Sequence, residues 1–212
     1  MKRGLIIFDM DGVLFDSTKL VRDFFLSKYP TMTGEIMDEI LVGNFHDELE
    51  KFKSTNKHIE ETPEERTARS EKYSKDKSST SLYSGIKELL HKLHTDGYIL
   101  TINTSAFERN CIPLLKSSGI ESFFDFVATA EISKNKIEKF MLIKEKYSAS
   151  QNETIFITDT LGDIREADVA QIPTIAVTWG AHDRTYFTRE VHDNLIGICD
   201  SVDDLERQIL NF

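Results

Sequence analysis

The sequence predicts an α/β protein in which a doubly wound parallel sheet carries a helical segment inserted after its first strand. Short apolar runs typical of buried strands alternate with amphipathic stretches of helical period, which is the pattern of right-handed βαβ units. One long interval, 17–81, contains only helical and polar patterns and interrupts this alternation. We therefore expect an α/β core domain formed by residues 1–16 and 82–212 and a helical cap domain formed by residues 17–81.

The predicted elements follow one another in a regular order. The run 5–8 is apolar throughout, which is typical of a strand buried on both faces of a parallel sheet. Helices are expected from about residues 18, 34, 47 and 63, and the Lys- and Ser-rich stretch 74–81 is expected to be an exposed connection. The elements expected after it are helix 85–96, strand 98–103, helix 107–116, strand 123–128, helix 136–147, strand 154–158, helix 163–170, strand 174–178 and helix 202–210.

Length and composition are those of a globular protein. The 212 residues allow one large domain, or a core with a modest insertion, and such a core needs no disulfides. The net charge of −10 disfavours nonspecific binding to nucleic acid or to an anionic membrane. The cysteines, Cys111 and Cys199, are too few for a disulfide framework or a Cys-based zinc site, so a reducing compartment fits best.

Neither export nor membrane insertion is predicted. The apolar run near the N-terminus ends at Asp9, which is short of the apolar region of a secretory signal. No stretch of the sequence approaches the roughly 18 apolar residues of a membrane span. We expect a soluble, cytoplasmic protein.

Acidic and hydroxyl side chains follow several of the predicted strands. In an open parallel sheet the ligand site lies beyond the carboxyl ends of the strands. Carboxylates that converge there repel one another unless a divalent cation neutralises them, and oxygen ligands suit Mg²⁺. A Mg²⁺ site is therefore predicted, provided that the strands before Asp9 and Asp159 are neighbours. The side chains concerned are Asp9 and Asp11, Thr104 and Ser105, and Asp159 and Asp163.

Several segments of the chain combine an apolar strand with polar residues at its end. DMDGVLFDS lies at 9–17, NTS at 103–105 closes the strand ILTIN, and ISKNKIEKF lies at 132–140. FITDTLGDI at 156–164 carries two Asp four residues apart, and IPTIAVTWG lies at 172–180. In this order the segments resemble the motifs of the haloacid dehalogenase superfamily, in its branch of phosphatases with a small helical cap. The last segment resembles the final core strand of that family.

The resemblance implies a Rossmann-like core and a role for each acid. Asp9 would be the nucleophile that attacks phosphorus and forms an aspartyl-phosphate. Asp11 would donate a proton to the leaving oxygen and then act as general base for water. Mg²⁺ would be held by the Asp9 carboxylate, the Asp11 main-chain carbonyl and the Asp159 carboxylate.

The resemblance also implies a set of groups that bind the phosphoryl oxygens. Thr104, Ser105 and Lys134 would contact these oxygens. Asp163 would orient Lys134 or a water bound to the metal. Lys136 stays open as the alternative lysine, because the prolines that commonly follow this lysine in the family are absent here.

Substrate selection is expected from the helical interval. The loop 41–46 resembles one that dips into the active site in relatives, where a glycine such as Gly43 allows close approach and a residue such as His46 touches substrate. Arg109 is a further candidate anion contact. The alternatives are a surface histidine at a helix start and a solvated arginine. Thr158 stands where the family usually has glycine and is expected to narrow the pocket or shift its loop.

The favoured function is a Mg²⁺-dependent phosphatase of a small phosphorylated metabolite, such as a phosphoglycolate- or sugar-phosphate-like ester. We expect a monomer or homodimer with no nucleic-acid or membrane partner. A phosphomutase and a non-catalytic Mg²⁺- or phosphoryl-binding protein on the same core stay open. Dehalogenation would not need the general acid Asp11. A phosphonate-cleaving relative would need a desolvated amine from the cap, where Lys51 and Lys53 are available.

Overall fold

The computed structural model describes residues 3–212, whose strands form one six-stranded parallel sheet. The strands lie in the order β3-β2-β1-β4-β5-β6, and each neighbouring pair is parallel. This confirms the predicted doubly wound α/β fold. The strands are β1 (Arg3–Phe8), β2 (Tyr98–Asn103), β3 (Phe126–Ala128), β4 (Thr154–Thr158), β5 (Thr174–Val177) and β6 (Leu195–Cys199).

Helices connect the strands, and their ends follow from local sequence. Thr62 caps α4 in a reciprocal box with Glu65, and Pro63 takes the first helical position. Gly119 ends α6 in the left-handed conformation. None of the helices described is both long and apolar enough to cross a membrane. The helices are α1 (Thr18–Lys28), α2 (Gly34–Ile40), α3 (Phe45–Thr55), α4 (Pro63–Ser78), α5 (Ile86–Thr95), α6 (Glu108–Ser118), α7 (Lys136–Tyr147), α8 (Leu161–Val169), α9 (Arg184–Phe187) and α10 (Val202–Asn211).

Strand β1 lies at the centre of the sheet and is buried on both faces. Ile6 and Phe8 belong to the apolar cluster that includes residues of α5 and α6. Leu5 and Ile7 point to the opposite face, since successive side chains of a strand alternate, and they belong to the cluster that includes α7 and α8. Burial on two faces explains why the sequence of β1 is apolar without alternation.

Helices α1, α2 and α3 and the loop after α1 bury an apolar cluster of their own. We call residues 17–81 the helical insertion. The chain leaves the sheet and returns to it at adjacent positions, because the Asp16 N–H donates to the Ser81 carbonyl at 3.0 Å and Phe15 pairs with Leu82. The division of the chain into a core and a cap domain stays a prediction. The buried members of the cluster are Tyr29, Met32, Met37, Ile40 and Leu49.

Two expectations from the sequence were wrong. The stretch 74–81 is not an exposed connection throughout, because α4 continues to Ser78 and buries Lys77, whose ammonium pairs with a carboxylate. The segment 172–180 is not the last strand, because β6 adds a further edge to the sheet. The half-buried positions of β6 and its internal Gly197 weaken the apolar pattern that marks the other strands.

The buried face of α5 gives the first prediction. Replacing Leu90, which has no exposed surface, by alanine is expected to lower the free energy of unfolding by about 2–5 kcal/mol, because it leaves a cavity in the main core. Leu210→Ala in α10 is the matched control and is expected to cost less than about 1 kcal/mol, since 40% of Leu210 is exposed. Urea unfolding of both variants measures the difference. Equal losses would contradict the assigned burial.

Candidate active site

The carboxyl ends of β2, β1 and β4 meet at one edge of the sheet. Phe8, the last residue of β1, is in register with Ile102 of β2 and Ile157 of β4. The condition set by the sequence is therefore met, because the strands before Asp9 and Asp159 are neighbours. Every predicted site residue lines a single cavity of about 360 Å³ at this edge, namely Asp9, Asp11, Gly43, His46, Thr104, Ser105, Arg109, Lys134, Asp159 and Asp163.

Two glycines leave room for the Asp159 carboxylate. Gly12 turns the chain after β1 with φ +76°, and a Cβ at this position would collide with Asp159 Oδ2. A Cβ at Gly180 would collide with the same oxygen. The glycine of DMDG thus serves both the positive φ and the close approach of the carboxylate.

Asp9 and Asp159 form a pair of buried carboxylates suited to a hard cation. The Ala181 N–H donates to Asp159 Oδ2 at 2.7 Å, whereas Asp159 Oδ1 is buried and has no hydrogen-bond partner within residues 3–212. Burial, followed by the charge of Asp9, raises the pKa of Asp159 well above its ordinary value. A cation would satisfy the unpartnered oxygen and offset the repulsion.

The predicted magnesium site needs only two side-chain ligands. Among the described residues no three His, Cys, Asp or Glu side chains converge into a ready metal site. The predicted set requires only the carboxylates of Asp9 and Asp159, because its third ligand is the main-chain carbonyl of Asp11. The oxygen donors present therefore fit Mg²⁺.

The lysine beside the predicted nucleophile is Lys136, not Lys134. Lys136 is the first residue of α7 and is 1% exposed, with its Nζ 3.0 Å from Asp9 Oδ1 and 2.5 Å from Asp163 Oδ2. Burial lowers the pKa of Lys136, but the charges of Asp163 and Asp9 outweigh it and keep the lysine protonated. Burial likewise raises the pKa of Asp9, and Lys136 opposes this shift.

Asp163 orients Lys136 and is itself held by Thr158. The Thr158 hydroxyl donates to Asp163 Oδ2 at 2.7 Å, the oxygen that also accepts from Lys136. Thr158 was expected to narrow the pocket or shift its loop. The structure instead shows its hydroxyl fixing the carboxylate that positions the lysine.

The loop after β2 is supported by a second buried lysine. Lys139 Nζ donates to the Thr104 carbonyl at 2.6 Å, and the Thr104 hydroxyl accepts from the Ala106 N–H at 3.0 Å. Burial and the nearby charge of Lys136 lower the pKa of Lys139 to about 8. Lys139 therefore holds the backbone of this loop and adds positive potential beneath it.

Asp11 is fixed through both of its oxygens. The Ser17 hydroxyl donates to Oδ1 at 2.5 Å, and Lys77 Nζ lies 2.7 Å from Oδ2. Lys77 comes from the last turn of α4, is 1% exposed, and keeps its proton because the charge of Asp11 raises its pKa against the effect of burial. The helical insertion thus contributes a charged group to the site.

The loop 41–46 docks the helical insertion onto α8. The Gly162 N–H donates to the Leu41 carbonyl at 2.9 Å, and a Cβ at Gly162 would collide with the carbonyl oxygen of Gly43. The Asn44 side chain donates to the Glu166 carboxylate at 2.9 Å. Gly43 therefore lies where the backbone of the insertion contacts the start of α8.

His46 points into the site and is not a surface residue. Its Nε2–H donates to the Ser105 carbonyl at 3.2 Å, and burial lowers its pKa, which favours the neutral ring. Arg109 and Lys134 are exposed residues on the lining of the cavity. The Arg109 guanidinium lies 5.1 Å from the centre of the Phe107 ring, and the Lys134 carbonyl accepts from Asn44 at 3.2 Å.

Sequence reasoning missed several groups that the structure brings to the site. Ser17 ends the segment DMDGVLFDS, and Lys139 follows Lys136 at a helical spacing that puts both on one face of α7, so each left a local signal. Glu166 lies on α8 three residues after Asp163, also on one helical face. Lys77 left none, because its partner Asp11 is 66 residues away in the chain.

Comparison with known proteins agrees with this geometry. The family model described as haloacid dehalogenase-like hydrolase matches residues 6–177. The tyrosine-protein kinase PtkA of Mycobacterium tuberculosis is 24% identical over 215 residues, which cover 97% of this chain and 72% of PtkA. The probable phosphatase IndB of Dickeya dadantii is 26% identical over 191 residues, which cover 85% of this chain and 83% of IndB.

A solved structure reproduces the fold. CbbY from Rhodobacter sphaeroides, crystallised in complex with phosphate, superposes with a TM-score of 0.75 at 20% identity, and the match covers 96% of each chain. The family model spans the sheet from β1 to the end of β5, including every strand end that contributes to the cavity. This protein is therefore a member of the haloacid dehalogenase-like hydrolase family.

Proposed function

We propose that this protein is a Mg²⁺-dependent phosphatase that hydrolyses a small phosphorylated metabolite through an aspartyl-phosphate on Asp9. The observation that carries the proposal is that a candidate nucleophile, Asp9, and a candidate general acid, Asp11, line the same cavity. Asp9 is a buried carboxylate beside a protonated lysine, and Asp11 is held two residues away by Ser17 and Lys77. A protein that only bound phosphate would need neither carboxylate next to an anion.

The reaction follows from these positions in two displacements. In the first, a carboxylate oxygen of Asp9 attacks phosphorus and the bond from phosphorus to the leaving oxygen breaks. Asp11, which is paired with Lys77 in the structure and takes up a proton in the substrate complex, gives that proton to the leaving oxygen. In the second, water attacks the same phosphorus, Asp11 takes a proton from the water, and the acyl phosphate bond breaks to release inorganic phosphate and free Asp9. Asp11 thereby returns to its starting state.

The other residues stabilise the charge that develops on the phosphoryl oxygens. Lys136 supplies a fixed ammonium, and Lys139 holds the loop of Thr104 and Ser105 at the cavity. Mg²⁺, held by Asp9, Asp159 and the Asp11 carbonyl, would supply Lewis-acid stabilisation of the phosphoryl group. His46, Gly43 and Arg109 line the part of the cavity where the alcohol of the substrate would lie.

Lys77 bears on the alternative of phosphonate cleavage. That reaction needs an uncharged amine from the helical insertion to form a Schiff base. Lys77 is the buried amine that the insertion provides, but its ion pair with Asp11 keeps it protonated. We therefore assign Lys77 to the positioning of Asp11. A phosphomutase would share the first displacement and is separated from a hydrolase by the release of inorganic phosphate.

The nucleophile gives the most direct test of the function. Asp9→Asn is expected to reduce phosphate release from 4-nitrophenyl phosphate by more than about 10³-fold, because the attacking carboxylate is lost. Excess EDTA is expected to abolish release by the unaltered protein, and added Mg²⁺ to restore it. The control is Asp203→Asn on the exposed face of α10, which should behave as the unaltered protein. Undiminished release by Asp9→Asn would refute the assignment.

The assignment of the lysine is tested by a matched pair of variants. Lys136→Met is expected to lower kcat/KM by about 10²- to 10³-fold, since it removes a buried cation beside the reacting phosphoryl group. Lys134→Met is expected to change kcat/KM only several-fold, because Lys134 is exposed. Urea unfolding in assay buffer confirms that each variant is folded when it is assayed. The reverse ranking would return the role to Lys134.

The role of Lys77 is tested against a neighbour on the same helix. Lys77→Met is expected to lower kcat by about 10- to 100-fold with a smaller change in KM, because Asp11 loses the ammonium that holds Oδ2. Lys75→Met removes an exposed lysine from α4 and should leave both constants unchanged. A Lys77→Met protein with unaltered kcat would show that Ser17 alone suffices to position Asp11.

A further inference from the structure

The cavity extends from the carboxylates into the helical insertion. All four helices of the insertion line it, α2 through Met37 alone. Helices α1, α3 and α4 contribute residues at helical spacing, so that one continuous face of each borders the cavity. The residues concerned are Thr18, Val21, Phe25 and Lys28 of α1, His46, Leu49 and Lys53 of α3, and Ser70, Tyr73 and Lys77 of α4.

Helices α1 and α3 both begin near the carboxylates, and the cavity extends along them. Thr18 begins α1 next to Ser17, which binds Asp11, and His46 begins α3 against the Ser105 carbonyl. Lys28 ends α1 ten residues later, which at 1.5 Å per residue places it about 15 Å along the helix from Thr18. The cavity is therefore an elongated channel with the proposed phosphoryl site at one end.

The middle of the channel is aromatic. Phe24 packs on Tyr73 with ring centres 4.3 Å apart, and Phe25 meets Phe45 at 5.4 Å. All four side chains border the cavity. Hydroxyl groups of a sugar or polyol placed against these rings would lose water without gaining hydrogen bonds, which is unfavourable. An aromatic group would instead bury apolar surface against ring faces and edges.

The far end of the channel is positively charged. Lys53 forms an ion pair with Glu50 at 2.7 Å, and Arg69 donates hydrogen bonds to both carboxylate oxygens of Glu61 at 2.6 and 2.7 Å. Lys28, in contrast, has no carboxylate within ion-pair distance anywhere in residues 3–212. Burial and the charges of Arg69 and Lys53 lower the pKa of Lys28, and the charge of Glu61 opposes this shift.

We infer that the substrate is the phosphate ester of an elongated aromatic alcohol whose far end carries an anionic group. The inference rests on the proposed phosphatase function and adds the class of alcohol to it. The ester phosphate lies against Asp9, the aromatic body lies between α1 and α4, and the far anion meets Lys28 and Lys53. Short polyol phosphates fill only the polar end of this channel.

The test compares three esters with the full chain and Mg²⁺: 4′-(phosphonooxy)biphenyl-4-carboxylate, its carboxamide, and glycerol 3-phosphate. The carboxylate is expected to exceed the carboxamide in kcat/KM by about tenfold, the effect of one charge-assisted hydrogen bond. The carboxamide is expected to exceed glycerol 3-phosphate by at least about tenfold, because only the aryl ester buries apolar surface in the channel. Equal values for the two aryl esters, or a preference for glycerol 3-phosphate, would overturn the inference.

Variants of the lysines at the far end test whether they cause the preference for the carboxylate over the carboxamide. Lys28→Met is expected to bring the carboxylate-to-carboxamide ratio close to one, and Lys53→Met to lower it less, because Glu50 already neutralises Lys53. The control Lys57→Met removes an exposed lysine that does not line the cavity and should leave the ratio unchanged. A ratio that survives Lys28→Met would place the anion elsewhere and refute the assigned far end.

Binding measurements separate this inference from the proposed function. Calorimetry with Asp9→Asn and Mg²⁺ is expected to give the carboxylate the lower Kd by about tenfold, without turnover. If no ester is hydrolysed by the unaltered protein, including 4-nitrophenyl phosphate, the proposed function fails, while a retained binding preference still supports the channel. If esters are hydrolysed and the carboxylate has no advantage in rate or in Kd, the inference fails and the function stands.

Discussion

The balance of charge at the end of β1 is the constraint on which the site depends. Asp9, Asp159 and Asp163 are all nearly buried, and carboxylates taken out of water beside one another strongly disfavour the folded state unless cations accompany them. Lys136 contacts two of these acids from the first turn of α7. Asp159 keeps one oxygen without a hydrogen-bond partner among residues 3–212, so the cation of the proposed function would complete the site. The same charged groups therefore affect both the stability of the fold and the properties of the site.

The ion pair between Lys77 and Asp11 connects the helical insertion to the active-site cavity. Asp11 belongs to the loop after β1, while Lys77 comes from the end of α4, so their contact forms only when the insertion lies over the sheet. The Asn44 contact to Glu166 and the Gly162 contact to Leu41 hold the opposite side of the insertion. An insertion held on both sides covers part of the cavity, and partial removal from water strengthens the electrostatic contacts of its buried residues.

The sequence predicted those features that depend on short-range pattern. The unbroken apolar run of β1 predicted a strand buried on both faces, and the spacing of Asp9 and Asp11 predicted that both enter one pocket. The sequence set the neighbouring of the strands before Asp9 and Asp159 as a condition, and the sheet order meets it. The choice between Lys134 and Lys136 could not, because a shift of two residues at a helix start turns a side chain to the opposite face, and the helix boundary decides it. Lys77 was inaccessible for a different reason: its surroundings in sequence are polar, and only tertiary packing makes it a core residue.

The charge of the whole protein and that of the cavity have opposite signs, and the two act at different distances. A net charge of −10 repels an anionic ester far from the protein, but salt screens charges separated by more than about 8 Å at physiological ionic strength. Within that range Lys28, Lys53 and Lys136 border the cavity, and its low-dielectric walls confine their field. An anion that reaches the opening of the cavity is therefore attracted by these lysines, although the net charge of the protein is negative. A negative net charge therefore disfavours nonspecific binding of extended polyanions, whereas the local lysines would favour the anionic ester inferred above.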